Sequence, residues 1–423
     1  MKVLIAGAGI GGLTTALSLS AAGFDVEVFE ATGRLRPLGV GINLLPHAVR
    51  ELGELGLQDA LSATGVATAE LVYYSRRGQR IWGEPRGIAA GYRWPQVSIH
   101  RGRFHHLLLD TVRERLGAAA VRTEHRCTGF DETPDGVVAH FSGSRGEQAP
   151  VRGDVLIGAD GIHSQVRAAL HPGEGRPPWN GARLWRGVSR APAFLTGRSM
   201  IMAGHARHKF VCYPIGAATE GEPEINWVAE LHGDVRDLPP RQDWNSRGRL
   251  DDFLPAFADW RFDWLDVPEI IRRAPDVYVY PMVDRDPLPN WGTGRVTLLG
   301  DAAHPMYPIG SNGASQAILD ARVLTGCLRA IPDPIEALAV YEDVRRPPTS
   351  ALVLANRRQG PEECMTLVEA RAPGGFAHID DVIAPRELAA IADKYKKLAG
   401  FSIAELNGSP SLADVDYRAR QLS

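Results

Sequence analysis

Apolar residues near the start of the chain come in short runs that are followed by glycine. Residues 3–6 are apolar at every position, which predicts a buried parallel strand. Residues 25–30 predict a second strand, and the intervening residues 14–22 predict a helix that ends at Gly23. A strand, a helix and a strand in this order are typical of an α/β nucleotide-binding unit.

The pattern changes after residues 172–178, which are rich in glycine and proline. Residues 209–213 and 225–230 are short runs with aromatic side chains, and they predict strands of a mostly antiparallel sheet. Residues 295–299 return to the pattern of a buried parallel strand. Helices are predicted at residues 316–328, 334–342 and 385–398.

Three glycines with the spacing GxGxxG, Gly7, Gly9 and Gly12, follow the first predicted strand. The first glycine permits a tight turn, the second lets the backbone approach a pyrophosphate, and the third lets the helix pack close to the strand. Glu30 stands 18 residues past Gly12, where a carboxylate accepts hydrogen bonds from a ribose 2′-hydroxyl. Since a carboxylate disfavours a 2′-phosphate, this motif predicts FAD or NAD rather than NADP.

A second segment has the same order of strand, turn and helix. Asp160 and Gly161 form its turn, Ser164 is a candidate helix cap, and Arg167 follows three residues later. An ordinary strand-to-helix turn uses the same residue types, so this segment by itself leaves the structural and the functional interpretation open.

A third segment follows the strand predicted at residues 295–299. Gly300 and Asp301 come first, and an aspartate at a strand end can bind the ribityl hydroxyls of a flavin. The loop beyond it has turn residues and leads into a helix, whose N-terminus offers free N–H groups to an anionic flavin ring. The loop residues with candidate flavin contacts are Pro308, Gly310, Asn312 and Gly313. The three motifs together predict a flavin that is held from both ends of the chain.

The composition excludes several other classes of protein. The net charge is −3, from 47 basic and 50 acidic residues, so no nucleic-acid or membrane partner is expected. No run of 18 apolar residues predicts a transmembrane span. Four cysteines, at positions 127, 212, 327 and 364, form neither a disulfide framework nor a metal-ligand motif. We therefore expect a cytoplasmic protein without a metal.

The three motifs in this order resemble those of the class A flavin monooxygenases, the para-hydroxybenzoate hydroxylase-like family. Residues 39–46 are similar to that family's segment beside the flavin ring, and residues 98–103 to its arginine-bearing flavin segment, so Gly41 and Arg101 join the candidate FAD ligands. Within the family, residues 310–320 and 374–379 are similar to phenazine hydroxylases. Many members have an asparagine where Ser315 stands, which leaves open whether Asn312 or Ser315 contacts the ring.

The resemblance implies an enzyme with non-covalent FAD. NADH or NADPH would reduce the FAD, and dioxygen would form a flavin hydroperoxide that hydroxylates a phenazine-like or hydroxybenzoate-like ring. A second GxGxxG motif after a strand is absent from the sequence, which agrees with a family that has no separate nicotinamide domain. The alternatives are a FAD-dependent reductase and a prenyl-type flavoprotein without oxygen insertion. A monomer and a homodimer are both compatible with the sequence.

The residues that line the substrate pocket are harder to predict. Aromatic side chains stack on flat rings, and an arginine pairs with a carboxylate, but the same side chains also suit the core of a sheet. No catalytic residue is assigned. The candidates for substrate contact are Trp185, Arg186, Met202, His205, Tyr213 and Trp227.

We predict an α/β fold in which a Rossmann-like FAD-binding domain carries an inserted, mostly antiparallel β-sheet substrate domain and is followed by C-terminal helices. The FAD-binding domain is discontinuous and comprises residues 1–70, 98–175 and 278–350. The substrate domain comprises residues 71–97 and 176–277, and residues 351–423 form the helical C-terminal segment.

Overall fold

The structure is a computed structural model that describes residues 1–37, 39–216, 221–233 and 246–418. The strands are β1 Lys2–Ala6, β2 Asp25–Phe29, β3 Gly41–Leu44, β4 Val66–Thr68, β5 Glu70–Tyr74, β6 Arg80–Pro85, β7 Gln96–His100, β8 Val121–Arg122, β9 Arg126–Thr133, β10 Gly136–Gly143, β11 Gly146–Gly153, β12 Val155–Gly158, β13 Trp179–Arg190, β14 Ser199–His205, β15 His208–Gly216, β16 Glu224–His232, β17 Arg261–Phe262, β18 Leu265–Asp266, β19 Val277–Val283 and β20 Val296–Leu298. The helices are α1 Ile10–Ala21, α2 Pro46–Glu54, α3 Gln58–Thr64, α4 Arg101–Leu116, α5 Gln165–Leu170, α6 Val267–Arg272, α7 Gly313–Ala330, α8 Pro334–Arg357, α9 Glu363–Arg371, α10 Pro385–Leu398 and α11 Ile403–Gly408.

A parallel sheet forms the centre of the nucleotide-binding part, with the strand order β20-β12-β1-β2-β8. Its middle strand β1 has fully buried side chains at Val3, Leu4 and Ile5, because helices and the three-stranded sheet of β9, β10 and β11 together cover the parallel sheet and leave neither face to water. The predicted strands that end near Ala6, Glu30, Asp160 and Gly300 therefore lie next to one another. Their carboxyl ends bring the three predicted motifs to one edge of the sheet.

A second sheet has seven strands in the order β19-β13-β16-β15-β14-β5-β6, and every neighbouring pair except β14 and β5 is antiparallel. Side chains alternate between its two faces. One face packs against an aromatic core that includes Trp185, Trp227 and Phe253, and the other face carries Arg186 and Tyr213. The predicted fold class, an α/β nucleotide-binding fold with a mostly antiparallel sheet and C-terminal helices, is confirmed.

Three predicted helices differ from the observed ones. Helix α7 spans Gly313–Ala330 rather than residues 316–328. Helix α1 begins at Ile10 rather than at residue 14, because the glycine turn is shorter than predicted. Helix α8 does not end at residue 342 but continues to Arg357 across Pro347 and Pro348. Buried side chains on both sides of the two prolines, Tyr341 and Leu352 among them, keep this helix packed and outweigh the local cost of proline. Helix α10 has the predicted bounds.

The C-terminal helices return to the centre of the molecule. Tyr395 of α10 is buried and packs with Leu45 and Phe401. In the part of the chain that the structure describes, none of the helices combines the length and the apolarity that a membrane crossing requires.

Candidate active site

The turn after β1 is closely packed except at its middle glycine. A Cβ atom on Gly7 would lie 2.4 Å from the carbonyl oxygen of Ala159, and one on Gly12 would lie 2.0 Å from the carbonyl oxygen of Gly7. A Cβ atom on Gly9 would meet none of the described atoms within 4 Å. Helix α1 begins directly after Gly9, and no side chain among the described residues caps its first N–H groups. This open space at a helix N-terminus fits a pyrophosphate.

Glu30 connects the end of β2 to the glycine turn. Its carboxylate accepts hydrogen bonds from the backbone N–H of Ala8 at 3.0 Å and from the backbone N–H of Thr32 at 2.8 Å. The hydroxyl of Thr32 donates a third bond at 3.0 Å. The structure therefore places Glu30 beside the predicted pyrophosphate position, and it also gives the carboxylate a role in holding the turn.

Asp160 and Gly161 have different roles in the second motif. The Asp160 carboxylate accepts hydrogen bonds from the Ser164 hydroxyl at 2.5 Å and from the backbone N–H of Gln165 at 2.7 Å, so it holds the start of α5. Gly161 has a φ of +80°, and a Cβ atom there would find only open space among the described residues. The backbone of Gly161, rather than the carboxylate of Asp160, is thus what this turn offers to a ligand.

Arg167 joins the second motif to the third. Its side chain is buried, and one guanidinium nitrogen donates to the carbonyl oxygens of Ala302 at 3.0 Å and Ala303 at 2.9 Å. Its Nε donates to Glu174 at 2.6 Å. Arg167 follows Asp160 and Gly161 closely in the sequence, but the sequence does not show which group it binds. The structure makes it the support of the turn that carries Asp301.

Gly300 and Asp301 face the same cleft as the glycine turn. The backbone N–H of Gly300, which has a φ of +60°, donates to the carboxylate of Asp320 at 3.0 Å. The Asp301 side chain reaches solvent inside the cleft but has protein around it. This partial loss of water raises the pKa of its carboxyl, against the opposing positive charges of His304 and Arg101. Asp301 and Arg101, two predicted ligands, therefore lie near each other.

A buried group of charges supports this turn from behind. The Asp320 carboxylate binds His304 Nε2 at 2.6 Å and Arg345 Nε at 2.7 Å, and it has no exposed surface. Burial alone would raise the pKa of Asp320, but the charges and hydrogen bonds of His304 and Arg345 lower it to about 2. Asp320 and Arg345 were missed in the sequence because they come from two long helices with no local motif.

Asn312 and Ser315, in the loop before α7 and in its first turn, both form hydrogen bonds with other protein groups. The Asn312 amide donates to the carbonyl oxygen of Gly310 at 3.1 Å and to the Tyr395 hydroxyl at 3.0 Å. The Ser315 hydroxyl accepts from the backbone N–H of Leu45 at 3.1 Å. Both side chains are completely buried, so each holds protein segments together. At Gly313 a Cβ atom would have none of the described atoms within 4 Å, so the backbone there faces open space.

Gly41 is fixed to the seven-stranded sheet. Its N–H donates to the Asn226 side chain at 2.6 Å, and its carbonyl oxygen accepts from Arg186 at 2.9 Å. A Cβ atom on Gly41 would lie 2.6 Å from the Cβ of Asn226, so only glycine fits. Burial raises the pKa of Tyr213 to about 12, although the neighbouring Arg186 charge opposes the shift. Arg186 and Tyr213 thus lie where the sheet meets the Gly41 segment.

The six candidates for substrate contact fall on different surfaces. Trp185 and Trp227 belong to the aromatic core on the far face of the sheet, and Phe253 stacks on Trp185 with ring centres 5.1 Å apart. His205 lies at the last position of β14, near the turn to β15. Arg186, Met202 and Tyr213 lie on the face that is turned toward the cleft. The alternation of side chains along a strand separates Trp185 from its neighbour Arg186.

A small cavity lies between this face and the two loops that reach the cleft. Leu45 and Gly310 form its cleft side, Met200 and Met202 come from the sheet, and Tyr395 and Lys396 come from α10. Its volume is about 20 Å³, which holds about one water molecule. Flexible methionine side chains in the wall allow such a cavity to change shape.

A larger cavity of about 190 Å³ lies on the other side of the same loop, beside Tyr307 and Ile309. Its wall contains Lys209, whose ammonium binds Glu230 at 2.8 Å and Glu362 at 2.5 Å. Two carboxylates share one ammonium here, so this group of charges is negative overall. The larger cavity is therefore less suited to an anionic ring than the smaller one.

The described residues contain no group of three or more metal-binding side chains. The four cysteines are all buried, and none of them forms a disulfide within the described part of the chain. Gly9, Gly161 and Asp301 follow three adjacent parallel strands, so they lie at one edge of the sheet, where a dinucleotide is expected to bind. A Cβ atom at Gly9, Gly161 or Gly313 would meet none of the described atoms within 4 Å.

Comparisons with known proteins agree with this geometry. The FAD binding domain family matches residues 1–252. The chain is 51% identical to the phenazine 1,6-dicarboxylic acid hydroxylase of Lysobacter antibioticus, over 85% of this chain and 90% of that protein. It is 35% identical to the 3-amino-4-hydroxybenzoate 2-monooxygenase of Streptomyces cremeus, over 86% of this chain and 87% of that protein. A salicylate hydroxylase in a substrate complex matches with a TM-score of 0.74 and 25% identity, over 98% of both chains.

The resemblance inferred from the three motifs is thereby confirmed. The relatives named above insert oxygen into aromatic rings, which supports the predicted monooxygenase over the reductase and prenyl-type alternatives. The chain belongs to the FAD binding domain family and is a FAD-dependent aromatic monooxygenase.

Proposed function

We propose that this enzyme hydroxylates a carboxylated N-heteroaromatic ring of phenazine size. The observation that carries the proposal is the 51% identity to a phenazine 1,6-dicarboxylic acid hydroxylase over 85% of this chain. The wall of the small cavity supports it, since Leu45, Met200 and Met202 are apolar and Arg86 and Lys396 are cationic. Apolar walls suit flat rings, and cations suit a carboxylate. The cavity has room for only about one water molecule, so the flexible methionine side chains must move to admit a ring.

FAD is the cofactor, and we propose its contacts in this chain. The backbone at Gly9, Gly161 and Gly313 faces open space, and the Asp301 carboxylate lies in the cleft. We assign the FAD site to Gly7, Gly9, Gly12, Glu30, Gly41, Arg101, Asp160, Gly161, Gly300, Asp301, Pro308, Gly310, Asn312 and Gly313. Asp160 and Asn312 would act by shaping turns, because their side chains bind other protein groups.

The chemistry is divided between cofactor and protein. Bound FAD supplies the transfer of electrons and the activation of dioxygen, with NADH or NADPH as the reductant. The protein orients the substrate, excludes water and supplies charge. We propose that residues 1–70, 98–175 and 278–350 hold FAD, that residues 71–97 and 176–277 hold the substrate, and that residues 351–423 close the site. We also propose a cytoplasmic location, which agrees with four buried cysteines that form no disulfide among the described residues.

The test measures NADH and NADPH oxidation and oxygen uptake with a panel of aromatic acids. With a phenazine carboxylate we expect the rate of oxidation to rise at least about tenfold, which corresponds to about 1.4 kcal/mol of coupling between the substrate and the reducible state. Mass spectrometry should find one added oxygen atom in the product. The substrate assignment is wrong if hydroxybenzoates are hydroxylated and phenazine carboxylates are not. Gel filtration of the same preparation distinguishes a monomer from a homodimer.

A further inference from the structure

Three charged side chains, Glu84, Arg86 and Lys396, meet in the wall of the small cavity. One Glu84 oxygen binds Arg86, and the other binds the Lys396 ammonium at 2.5 Å. The exposed fractions of these side chains are 7% for Glu84, 11% for Arg86 and 20% for Lys396. Two cations therefore share one carboxylate in a place with little water. Asp393 lies 3.9 Å from Lys396 but is 69% exposed, so solvent screens its charge.

The same cavity contains buried polar atoms that lack a hydrogen bond. The Tyr73 hydroxyl and the Arg86 Nε have no hydrogen-bond partner among the residues that the structure describes. Tyr73 is 1% exposed, and burial raises the pKa of its hydroxyl, which therefore stays protonated and able to donate. A buried donor without a partner costs about 1–3 kcal/mol, so such a group needs a partner, which is a water molecule when the cavity is empty of substrate or a polar group of the substrate when it is bound.

Tyr73 and Arg86 line the same cavity. The positive charge of Arg86 acts on the Tyr73 hydroxyl, as does the negative charge of Glu84. Leu45 and Gly310, from the two cleft loops, line this cavity too. Once the methionine side chains of the wall move aside, a flat ligand that enters beside these loops would reach Arg86 and Tyr73.

We propose that Arg86 and Tyr73 bind the carboxylate of the substrate and that Lys396 of α10 adds the second positive charge. This inference rests on the proposed function, and it names the residues by which the enzyme selects an aromatic acid over a neutral ring. Charge-assisted hydrogen bonds from an arginine and a tyrosine are suited to a carboxylate. Glu84 holds the two cations in place and balances only one of them.

Arg186 is the competing cation. Its Nε, like that of Arg86, lacks a hydrogen-bond partner among the described residues. Another nitrogen of its guanidinium donates to the Gly41 carbonyl oxygen at 2.9 Å, and the group lies beside Tyr213, so Arg186 holds the segment at the cleft. An Arg186→Gln substitution is therefore expected to weaken FAD binding and to affect acidic and neutral substrates alike. The Arg86→Gln substitution is expected to weaken the binding of acidic substrates only. This difference distinguishes the role of Arg86 from that of Arg186.

The experiment titrates the FAD-loaded enzyme with phenazine-1-carboxylate and with phenazine-1-carboxamide and follows the flavin absorbance. In Arg86→Gln the dissociation constant of the acid should rise about 30-fold, within the range for loss of a hydrogen bond to a charged group, while that of the amide changes less than about threefold. Arg86→Lys should recover part of the loss. Tyr73→Phe, which removes only the unpartnered hydroxyl, should weaken the acid about fivefold.

The matched control is Arg80→Gln, at the first position of β6, the strand that ends just before Arg86; Arg80 is exposed and does not line the cavity, so the substitution should change neither constant. The inference is overturned if Arg86→Gln weakens the acid and the amide equally, or weakens neither. The proposed function is judged separately, on the product of the wild-type enzyme. If that enzyme hydroxylates hydroxybenzoates instead, the same comparison is made with 4-hydroxybenzoate and 4-hydroxybenzamide, and a preference for the acid that Arg86→Gln abolishes still supports the role of Arg86.

Discussion

The two ends of the FAD cleft are held by different means. At the N-terminal end, the turn of Gly7, Gly9 and Gly12 is shaped by contacts among backbone atoms, and its outer glycines leave no room for a side chain. At the other end, the turn of Gly300 and Asp301 is held by buried charged side chains that come from distant parts of the chain.

The comparison shows how far a cofactor site can depend on local sequence. The first turn needs only glycines at fixed spacing and a nearby carboxylate. The second turn needs Arg167 from α5, Asp320 from α7 and Arg345 from α8, each of which forms a hydrogen bond that the fold alone makes possible. Substitutions in the first turn should therefore act by steric exclusion, and those in the second by leaving buried charges unpaired.

Gly12→Ala should have the largest effect. The added Cβ atom would lie 2.0 Å from the Gly7 carbonyl oxygen, so β1 and α1 would have to move apart, at a cost above about 3 kcal/mol. We expect a marked loss of folded, FAD-loaded protein, measured by thermal unfolding and flavin content. The control is Gly9→Ala, which meets only open space and should leave the thermal stability of the FAD-free protein unchanged while it weakens FAD binding. Equal unfolding temperatures for the two variants would contradict the steric argument.

Asp320→Asn should come next. It leaves His304 and Arg345 without their shared buried partner, and removal of one member of a buried ion pair costs about 3–5 kcal/mol. FAD should then be lost more readily, because the Gly300 N–H loses its charged acceptor. Chemical denaturation and FAD retention on gel filtration measure both effects.

The pH dependence of stability tests the same group. The pKa of Asp320 is lowered in the folded state to about 2, so its contribution to stability is complete at neutral pH and is lost as pH falls from about 4 toward about 2. Asp320→Asn should remove this part of the acid transition. An unchanged transition between pH 4 and pH 2 would mean that Asp320 does not hold the turn electrostatically.

The features that could be predicted from the sequence are those that a short segment encodes, as in the first turn, and the features that could not are those that distant residues form, as in the second. The parallel strands, the glycine turn, Glu30 and the order of the motifs could be predicted, since periodicity and spacing encode them locally. That Arg86 and Lys396 bind the same carboxylate, Glu84, could not be predicted from the sequence, because Lys396 of α10 approaches Glu84 of β6 only in the folded protein. The pairing of Asn312 with Tyr395 was hidden for the same reason. Contacts between distant segments depend on tertiary packing that no short motif records.

Asp301→Ala should have an intermediate effect, on FAD rather than on folding. The carboxylate reaches solvent in the cleft and has few roles in holding the protein, so its loss removes a charge-assisted hydrogen bond to the cofactor worth about 1.5–3 kcal/mol. The FAD dissociation constant should rise by about tenfold to a hundredfold, with little change in the unfolding temperature of the FAD-free protein. A fall of that temperature comparable to the fall in Asp320→Asn would show that Asp301 is structural.

Glu30→Ala should have the smallest effect of the series. Glu30 binds the backbone of Ala8 and Thr32, so its loss loosens the edge of the first turn and removes the expected acceptor for the ribose, at a cost of about 1–2 kcal/mol in FAD binding. Because Glu30 lies far from the ring end of the cleft, hydroxylation at saturating FAD should stay near the wild-type rate. Glu30→Gln keeps one acceptor oxygen and should recover part of the FAD affinity. A turnover rate that remains low at saturating FAD would show that the N-terminal turn also positions the ring, and the two ends of the cleft would then be coupled rather than independent.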